Sequence, residues 1–260
     1  MQRNLILFDV DGTLTQSRLK IKPSMEETLR KLKSIENLDI GIVGGSDLAK
    51  QEEQLGKENL ALFNWIFSEN GLVAFKEGEQ VHSQNMVNKL GQDAFTKLIN
   101  ICLKNLALCK YPVKTGTFIE TRTGMINICP VGRSCTQEQR EAFCKEDETR
   151  EYRRELIKHI QAEWNNYLCN SEICKTDIRF SIGGQISVDV FPNGWDKTYC
   201  LQFVREHYDK IYFFGDKTYE GGNDYEIFNS PETIGFTVKS PEETERLLYE
   251  LFIEHTLIKW

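Results

Sequence analysis

The chain has 260 residues, 40% hydrophobic and 27% charged, with a net charge of −7. That length suffices for one large domain or two modest ones with a buried core, and the acidic balance speaks against nucleic acid as the main partner. No stretch reaches the ~18 consecutive apolar residues of a membrane-spanning helix, and two aspartates interrupt the apolar run near the start, so neither a leader nor a membrane partner is expected and the expected location is cytoplasmic.

Residues 4–9 read as a β-strand. PSMEETLRKLKSIE follows as a helix, with Ser24 and Glu27 spaced as a capping box and Met25, Leu29 and Leu32 on one face. LDIGIV (38–43) is a second buried strand, SDLAKQEEQL a polar helix and NWIFSEN a third strand. The first 80 residues therefore alternate strand and helix, the pattern of βαβ units and a parallel sheet.

The middle of the chain has another character. DAFTKLINICLKNLAL (93–108) is an amphipathic helix, GTFIETRTG and MINICPV are strand-like, and one long charged helix is predicted over 137–164. IRFSI and QISVDVF flank Gly183-Gly184, the signature of a tight hairpin. Strands joined by short turns predict an antiparallel sheet with helices on one face. Near its end the chain alternates strand and helix again. DKTYCLQFVREH reads as a helix, IYFFGD as a strand, GGNDYEIF as a loop and helix, ETIGFTV as a strand, and a last helix is capped by Ser240 with Pro241 at its first turn. The eight cysteines are scattered without a C-x-x-C pair, so reduced thiols are expected rather than zinc or disulfides.

In open parallel sheets, ligands bind beyond the carboxyl ends of the strands. Asp9, Asp11, Ser46 and Asp216 each end or closely follow an apolar strand, in LILFD, DIGIVGGS and IYFFGD. Three carboxylates and a hydroxyl on one edge repel unless a cation or proton offsets them, and oxygen-only ligands suit Mg2+.

D-x-D-G-T-L-T at 9–15 resembles the first motif of the haloacid dehalogenase (HAD) superfamily of phosphoryl-transfer enzymes. Ser46, Lys197 in Gly-Trp-Asp-Lys, and Asp216 with Asp224 in GDKTYEGGND resemble its second, third and fourth motifs. VGGSD, SENGL, GTFIE, GMIN, PVGRS, SIGGQIS, DVFP, GWDKTYCL and GGNDYEIF follow one another as in the eukaryotic-type phosphomannomutases, over nearly the whole chain. The resemblance implies an α/β fold: a HAD-like Rossmannoid core with a parallel sheet over residues 1–81 and 192–260, and an inserted α+β cap domain with an antiparallel sheet over 82–191. It implies reversible conversion of mannose 6-phosphate to mannose 1-phosphate, with glucose phosphates as further candidate substrates. A hexose 1,6-bisphosphate would be activator and intermediate, the product would feed GDP-mannose synthesis, and the enzyme would be a homodimer paired through the cap.

On that resemblance Asp9 is the nucleophile that forms an aspartyl-phosphate and Asp11 the general acid/base. Val10 points into the core between them, because side chains alternate along an extended backbone. Mg2+ would be bound by Asp9, the Asp11 main-chain carbonyl and Asp216, with Asp224 beside them. Lys197 and the Ser46 hydroxyl would act on the transferring group. A sugar bisphosphate also needs a second anion site, for which the planar fork of arginine is suited. Arg18 matches the family's core arginine, Arg122, Arg133 and Arg140 its cap arginines, and Ser187 and Asp189 its sugar- or phosphate-binding positions.

Three departures stand out. Thr123 replaces the asparagine usual after Arg122. Ser230 replaces an aspartate near a second, structural cation, for which Phe228, Ser230 and Thr233 are the remaining candidates. The stretch 165–177 is longer than usual and reads as a surface insertion. Two other readings stay open on sequence alone: a hexose (bis)phosphate phosphatase using the same Asp9 chemistry with water, and a non-catalytic sugar-phosphate-binding protein.

Overall fold

A computed structural model describes residues 3–17, 19–171, 175–183 and 185–254. The chain divides into two units, Met1–Ser83 with Gly194–Trp260, and Gln84–Asn193. The first unit opens with β1 (Asn4–Phe8), α1 (Pro23–Lys33), β2 (Leu38–Val43), α2 (Leu48–Leu55), α3 (Lys57–Leu60), β3 (Trp65–Ser68), β4 (Val73–Lys76) and β5 (Glu79–Ser83). The second holds α4 (Met86–Leu90), α5 (Gln92–Leu108), β6 (Ile119–Thr121), β7 (Ile126–Ile128), α6 (Gln137–Arg150), α7 (Tyr152–Asn170), β8 (Ile178–Gly183) and β9 (Ser187–Pro192). The chain then completes the first unit with β10 (Lys210–Gly215), α8 (Tyr225–Phe228), β11 (Ile234–Thr237) and α9 (Pro241–Leu248).

In the first unit one sheet runs in the order β11-β10-β1-β2-β3-β4-β5. From β11 to β3 neighbouring strands are parallel, with β1 between β10 and β2. Its continuous apolar run is explained by burial on both faces. Ile6 and Phe8 pack with Met25, Leu29 and Leu32 of α1, while Leu5 and Leu7 pack with Cys200, Leu201 and Val204. Strict strand–helix alternation stops after β3, however, because β4 and β5 form an antiparallel hairpin. Its two-residue turn, Glu77-Gly78, has φ of 49° and 82°, the double left-handed conformation that matches strand twist.

Two local expectations are corrected here. Helix α1 starts at Pro23, whose fixed φ suits a first turn, and Lys22 in front of it makes no side-chain cap. The Ser24 hydroxyl instead donates to Glu245 Oε1 at 2.7 Å. The helix predicted over 196–207 is a 3-10 helix, Lys197–Phe203. Asp196 tightens its start by accepting from Thr198 N at 2.9 Å and Thr198 Oγ1 at 2.6 Å.

The second unit carries an antiparallel sheet in the order β6-β7-β9-β8. Ile126, Ile128, Val188 and Val190 are fully buried on one face, and α7, itself packed on α5, lies against β8 and β9. The single helix predicted over 137–164 is two, broken at Glu151 with φ 53°. The buried Asp147 carboxylate fixes the break by accepting from Arg153 N at 2.9 Å and Arg153 Nε at 2.6 Å. Helix α7 then runs on through Asn170, into the stretch read as an insertion. Gly183 pairs with Ser187, while Gly184 of the predicted hairpin turn and 172–174 of the insertion lie outside the described residues.

Candidate active site

Because β1, β2 and β10 are parallel neighbours, the residues that follow them emerge at one edge of the sheet. Asp9 comes directly after β1 and its backbone N donates to Phe214 O at 2.9 Å. Asp216 comes directly after β10. Ser46, half-buried, follows β2 in the turn before α2, its carbonyl accepting from Glu69 N at 2.9 Å. Val10 is buried in the core, as alternation requires. The chain then turns back on itself, with the Val10 carbonyl accepting from Leu14 N and Thr15 N, both at 3.0 Å. Gly12 sits in that turn at φ +84°.

Asp9, Asp216 and Asp224 each bring a carboxylate oxygen within 4.8 Å of the others. Lys197, with no exposed side-chain surface, donates from Nζ to Asp9 Oδ1 and, at 2.6 Å, to Asp224 Oδ1. Asp224 is buried too, and its Oδ2 accepts from Lys217 N at 2.9 Å. Both Asp224 oxygens are therefore committed. Asp216 differs: its Oδ1 is buried and has no hydrogen-bond partner among the described residues. A Cβ on Gly12 would lie 2.4 Å from Asp216 Oδ2, so glycine alone lets this carboxylate stand against the nucleophile loop.

The electrostatics follow from burial. Desolvation pushes Asp9 up to about 7, opposed by the Lys197 ammonium and reinforced by the Asp224 and Asp216 carboxylates. Burial and Asp224 likewise raise Asp216. Burial works against the Lys197 charge, yet Asp224 and Asp9 together hold its pKa above the ordinary lysine range. With all three carboxyl groups ionised, one ammonium would leave two negative charges uncompensated, and the raised Asp9 and Asp216 carboxyls register that excess. An oxygen-only donor set with one partnerless buried oxygen and that surplus fits a hard divalent cation such as Mg2+.

Asp11 stands apart from this cluster. Its Oδ1 accepts from Gln54 Nε2 of α2 at 2.8 Å. Arg18 lies outside the described residues. The Phe228–Thr233 loop closes on itself: the Thr233 hydroxyl donates to Ile227 O and, at 3.3 Å, to Ser230 O, and Ser230 Oγ accepts from Glu232 N at 3.2 Å.

The polar face of the second unit's sheet gathers a second group. Glu120 of β6 stands opposite Asn127 of β7, and Asn127 opposite Asp189 of β9. Arg122 and Arg133 both pair with Glu120, at 2.7 Å each. Burial raises the Asp189 carboxyl, opposed by the Asn127 hydrogen bond and the two guanidiniums. Ser187, two residues before Asp189, shares its face. Arg140 lies in the first turn of α6, half-buried, and no ion pair joins it to this cluster among the described residues.

The eukaryotic phosphomannomutase family matches this sequence over residues 25–254. This chain belongs to that family. A relative named phosphomannomutase from Galdieria sulphuraria is 50% identical over 248 residues, covering 95% of this chain and 94% of its own. A phosphomannomutase from Schizosaccharomyces pombe is 49% identical over 254 residues, covering 96% and 95%. Among solved structures, Aspergillus fumigatus trehalose-6-phosphate phosphatase superposes with TM-score 0.60 at 13% identity over 96% of this chain and 92% of that one. Plasmodium falciparum IMP-nucleotidase gives 0.60 at 18% identity, over 98% and 68%. At such identities these neighbours speak for the fold, the HAD-like α/β core with a second α+β portion.

Three residues in contact with the predicted site groups were given no role by the motif reading, although Glu120 and Asn127 lie within GTFIE and GMIN. Gln54 holds Asp11, and Glu120 and Asn127 tie the arginines to Asp189. Asn127 was legible from alternation, since it is the only polar side chain of MINI. Gln54 carried no signal, being one of several polar residues on a charged helix.

Proposed function

We propose that this chain is a phosphomannomutase, interconverting mannose 6-phosphate and mannose 1-phosphate through an aspartyl-phosphate at Asp9. The observation that carries the reading is family membership across both units, joined to a buried carboxylate cluster at the end of β1. The Asp9 carboxylate attacks phosphorus while the bond to the sugar oxygen breaks, and Asp11 gives that oxygen its proton. In the opposite direction phospho-Asp9 gives its phosphoryl group to the free hydroxyl of a hexose monophosphate, whose proton Asp11 takes; the bisphosphate so formed reorients and its other phosphoryl group passes back to Asp9. Lys197 holds Asp9 in place and screens its charge, and Ser46 donates to the transferring group.

Mg2+ held by the Asp9 and Asp216 carboxylates and the Asp11 carbonyl, with Asp224 beside them, would supply the positive charge that lets an anionic nucleophile meet an anionic phosphate. Arg18, Arg122, Arg133, Arg140, Ser187 and Asp189 are the proposed contacts to sugar and non-reacting phosphate. A hexose 1,6-bisphosphate is the proposed activator. The reading extends to a cytoplasmic homodimer supplying GDP-mannose synthesis, supported by the family resemblance.

A coupled assay on mannose 1-phosphate and glucose 1-phosphate, with and without glucose 1,6-bisphosphate, tests this. Activation by the bisphosphate with little free phosphate is expected, together with a phosphorylated Asp9 by mass spectrometry. Rapid phosphate release without activation would replace the mutase with a phosphatase. Asp9→Asn is expected to abolish turnover while preserving the fold.

A further inference from the structure

The second unit holds its two clustered arginines in an unusual way. Arg122 follows the end of β6 and Arg133 comes from the loop after β7, and two guanidiniums side by side repel. A single carboxylate joins them: Glu120 Oε1 accepts from Arg122 Nε and Glu120 Oε2 pairs with Arg133 Nε, each at 2.7 Å. On its other side Arg133 donates from Nη1 to Asn127 Oδ1 at 2.8 Å, and Asn127 Nδ2 donates to Asp189 Oδ1 at 2.6 Å. The chain of bonds follows the sheet register, from β6 to β7 to β9. It engages the Nε of both guanidiniums, and among the described residues no hydrogen bond runs from the Nη2 of either.

We propose that Glu120 is a positioning residue that holds Arg122 and Arg133 together, through their Nε atoms, so that their outer N–H groups are presented jointly to a sugar phosphate. This rests on the reading of these arginines as phosphate contacts. Charge alone predicts the opposite. An acid beside two arginines competes with phosphate, so its removal would tighten binding. Geometry decides for positioning, because Glu120 holds both inner nitrogens, hydrogen-bonded to Arg122 Nε and ion-paired with Arg133 Nε, while Asn127 fixes the Arg133 fork through Nη1. Without Glu120 the two like charges separate, and Asn127 is left to orient Arg133 alone.

Steady-state kinetics on the full chain test this with Glu120→Gln, Glu120→Asp and Arg133→Ala. Assays use mannose 1-phosphate with saturating glucose 1,6-bisphosphate, and 4-nitrophenyl phosphate as a substrate too small to need a distal contact. Glu120→Gln turns an NH2 group toward one arginine. It is expected to raise KM for the hexose phosphate about tenfold or more, the size of one lost charge-assisted hydrogen bond, with kcat nearly unchanged. Aryl phosphate hydrolysis stays at the wild-type rate, and Glu120→Asp recovers part of the loss. A lower KM in Glu120→Gln, or an unchanged one, overturns the proposal while leaving the arginines' role intact if Arg133→Ala raises KM. Equal losses on both substrates overturn it as a general folding defect. If Arg133→Ala leaves KM unchanged, the phosphate reading of the cluster falls and this inference falls with it.

Discussion

Replacing Gly12 by alanine puts the acidic cluster to a quantitative test. Gly12 has φ +84°, a conformation that costs an L-residue about 1–2 kcal/mol. The new Cβ would also stand 2.4 Å from Asp216 Oδ2 and 2.6 Å from its Cγ, far inside contact distance. Either the loop or the Asp216 carboxylate must move, a strain of the overpacking kind worth about 1–3 kcal/mol. The two together predict a loss of roughly 2–5 kcal/mol, a large part of a total stability of about 5–15 kcal/mol. Denaturant unfolding of the metal-free protein measures it. Titrating Mg2+ into the same experiment reads the cluster directly, because a cation bound only to the native state raises stability by about 2.7 kcal/mol at 100 times its Kd. The variant, with Asp216 displaced, is expected to gain little. Gly12→Asn separates the causes, since asparagine tolerates the left-handed backbone but carries the same Cβ. If both variants unfold at the wild-type midpoint and respond fully to Mg2+, the account of Gly12 and Asp216 is wrong.

Three further outcomes are expected. Lys197→Met leaves Asp9 and Asp224 buried without their ammonium, a loss of about 3–5 kcal/mol in metal-free protein; wild-type stability and a full yield of phosphorylated Asp9 would contradict it. The Asp9 carboxyl is raised from 3.8 to about 7 in the fold, so its native form keeps a proton that the unfolded chain has lost. The resulting stability is present below 3.8 and is lost as pH rises through 7. Metal-free Asp9→Asn should therefore gain on wild type between those values by thermal unfolding, and a flat difference would refute the burial argument. Glu151→Gly relieves a left-handed residue between α6 and α7 whose side chain, among the described residues, pairs with Arg154 at the surface; the relief of about 1–2 kcal/mol, less about 0.4–1 kcal/mol for the freer unfolded chain, should leave a small net gain; destabilisation would show that the Arg154 pair outweighs backbone strain.

The central parallel strands β1, β2 and β3 and most of β10 were readable because they are buried on both faces and therefore mostly apolar, and the acids that follow β1 and β10 break that pattern. The second unit's antiparallel strands were readable from strand-like runs that meet at Gly124 and that flank Gly183-Gly184. What failed failed locally. Ser24 and Glu27 have the spacing of a capping box, but Pro23 begins the helix and Glu245, more than 200 residues away, takes the serine hydroxyl. The break at Glu151 falls within an unbroken run of helix-forming residues. It is fixed by Asp147 and Arg153, six residues apart, a pairing that an uninterrupted helix would not bring together. The β4–β5 hairpin hid because its strands are short and its turn begins with Glu77, an unusual residue for a left-handed position.

The same limit separates the residues of the site from its wiring. Motif spacing indicates which groups are present but not which oxygen is already engaged. Asp224 and Asp216 look alike in GDKTYEGGND, yet one has both oxygens bound, to Lys197 and Lys217 N, and the other keeps a buried oxygen without a partner. That asymmetry is what the proposed roles draw on: Asp224 is bonded to the lysine that also bonds Asp9, and the Asp216 oxygen without a partner is the one the proposed cation would use. The second unit shows the complementary arrangement. There two guanidiniums face two acids, so charge is balanced and only the direction of the remaining N–H groups distinguishes the cluster from an ordinary ion-pair network. The proposed function rests on these two properties, a surplus of acid groups at the first place and paired guanidiniums at the second. Each depends on a pairing between residues far apart in sequence, Lys197 with Asp9 in one unit and Asn127 with Asp189 in the other.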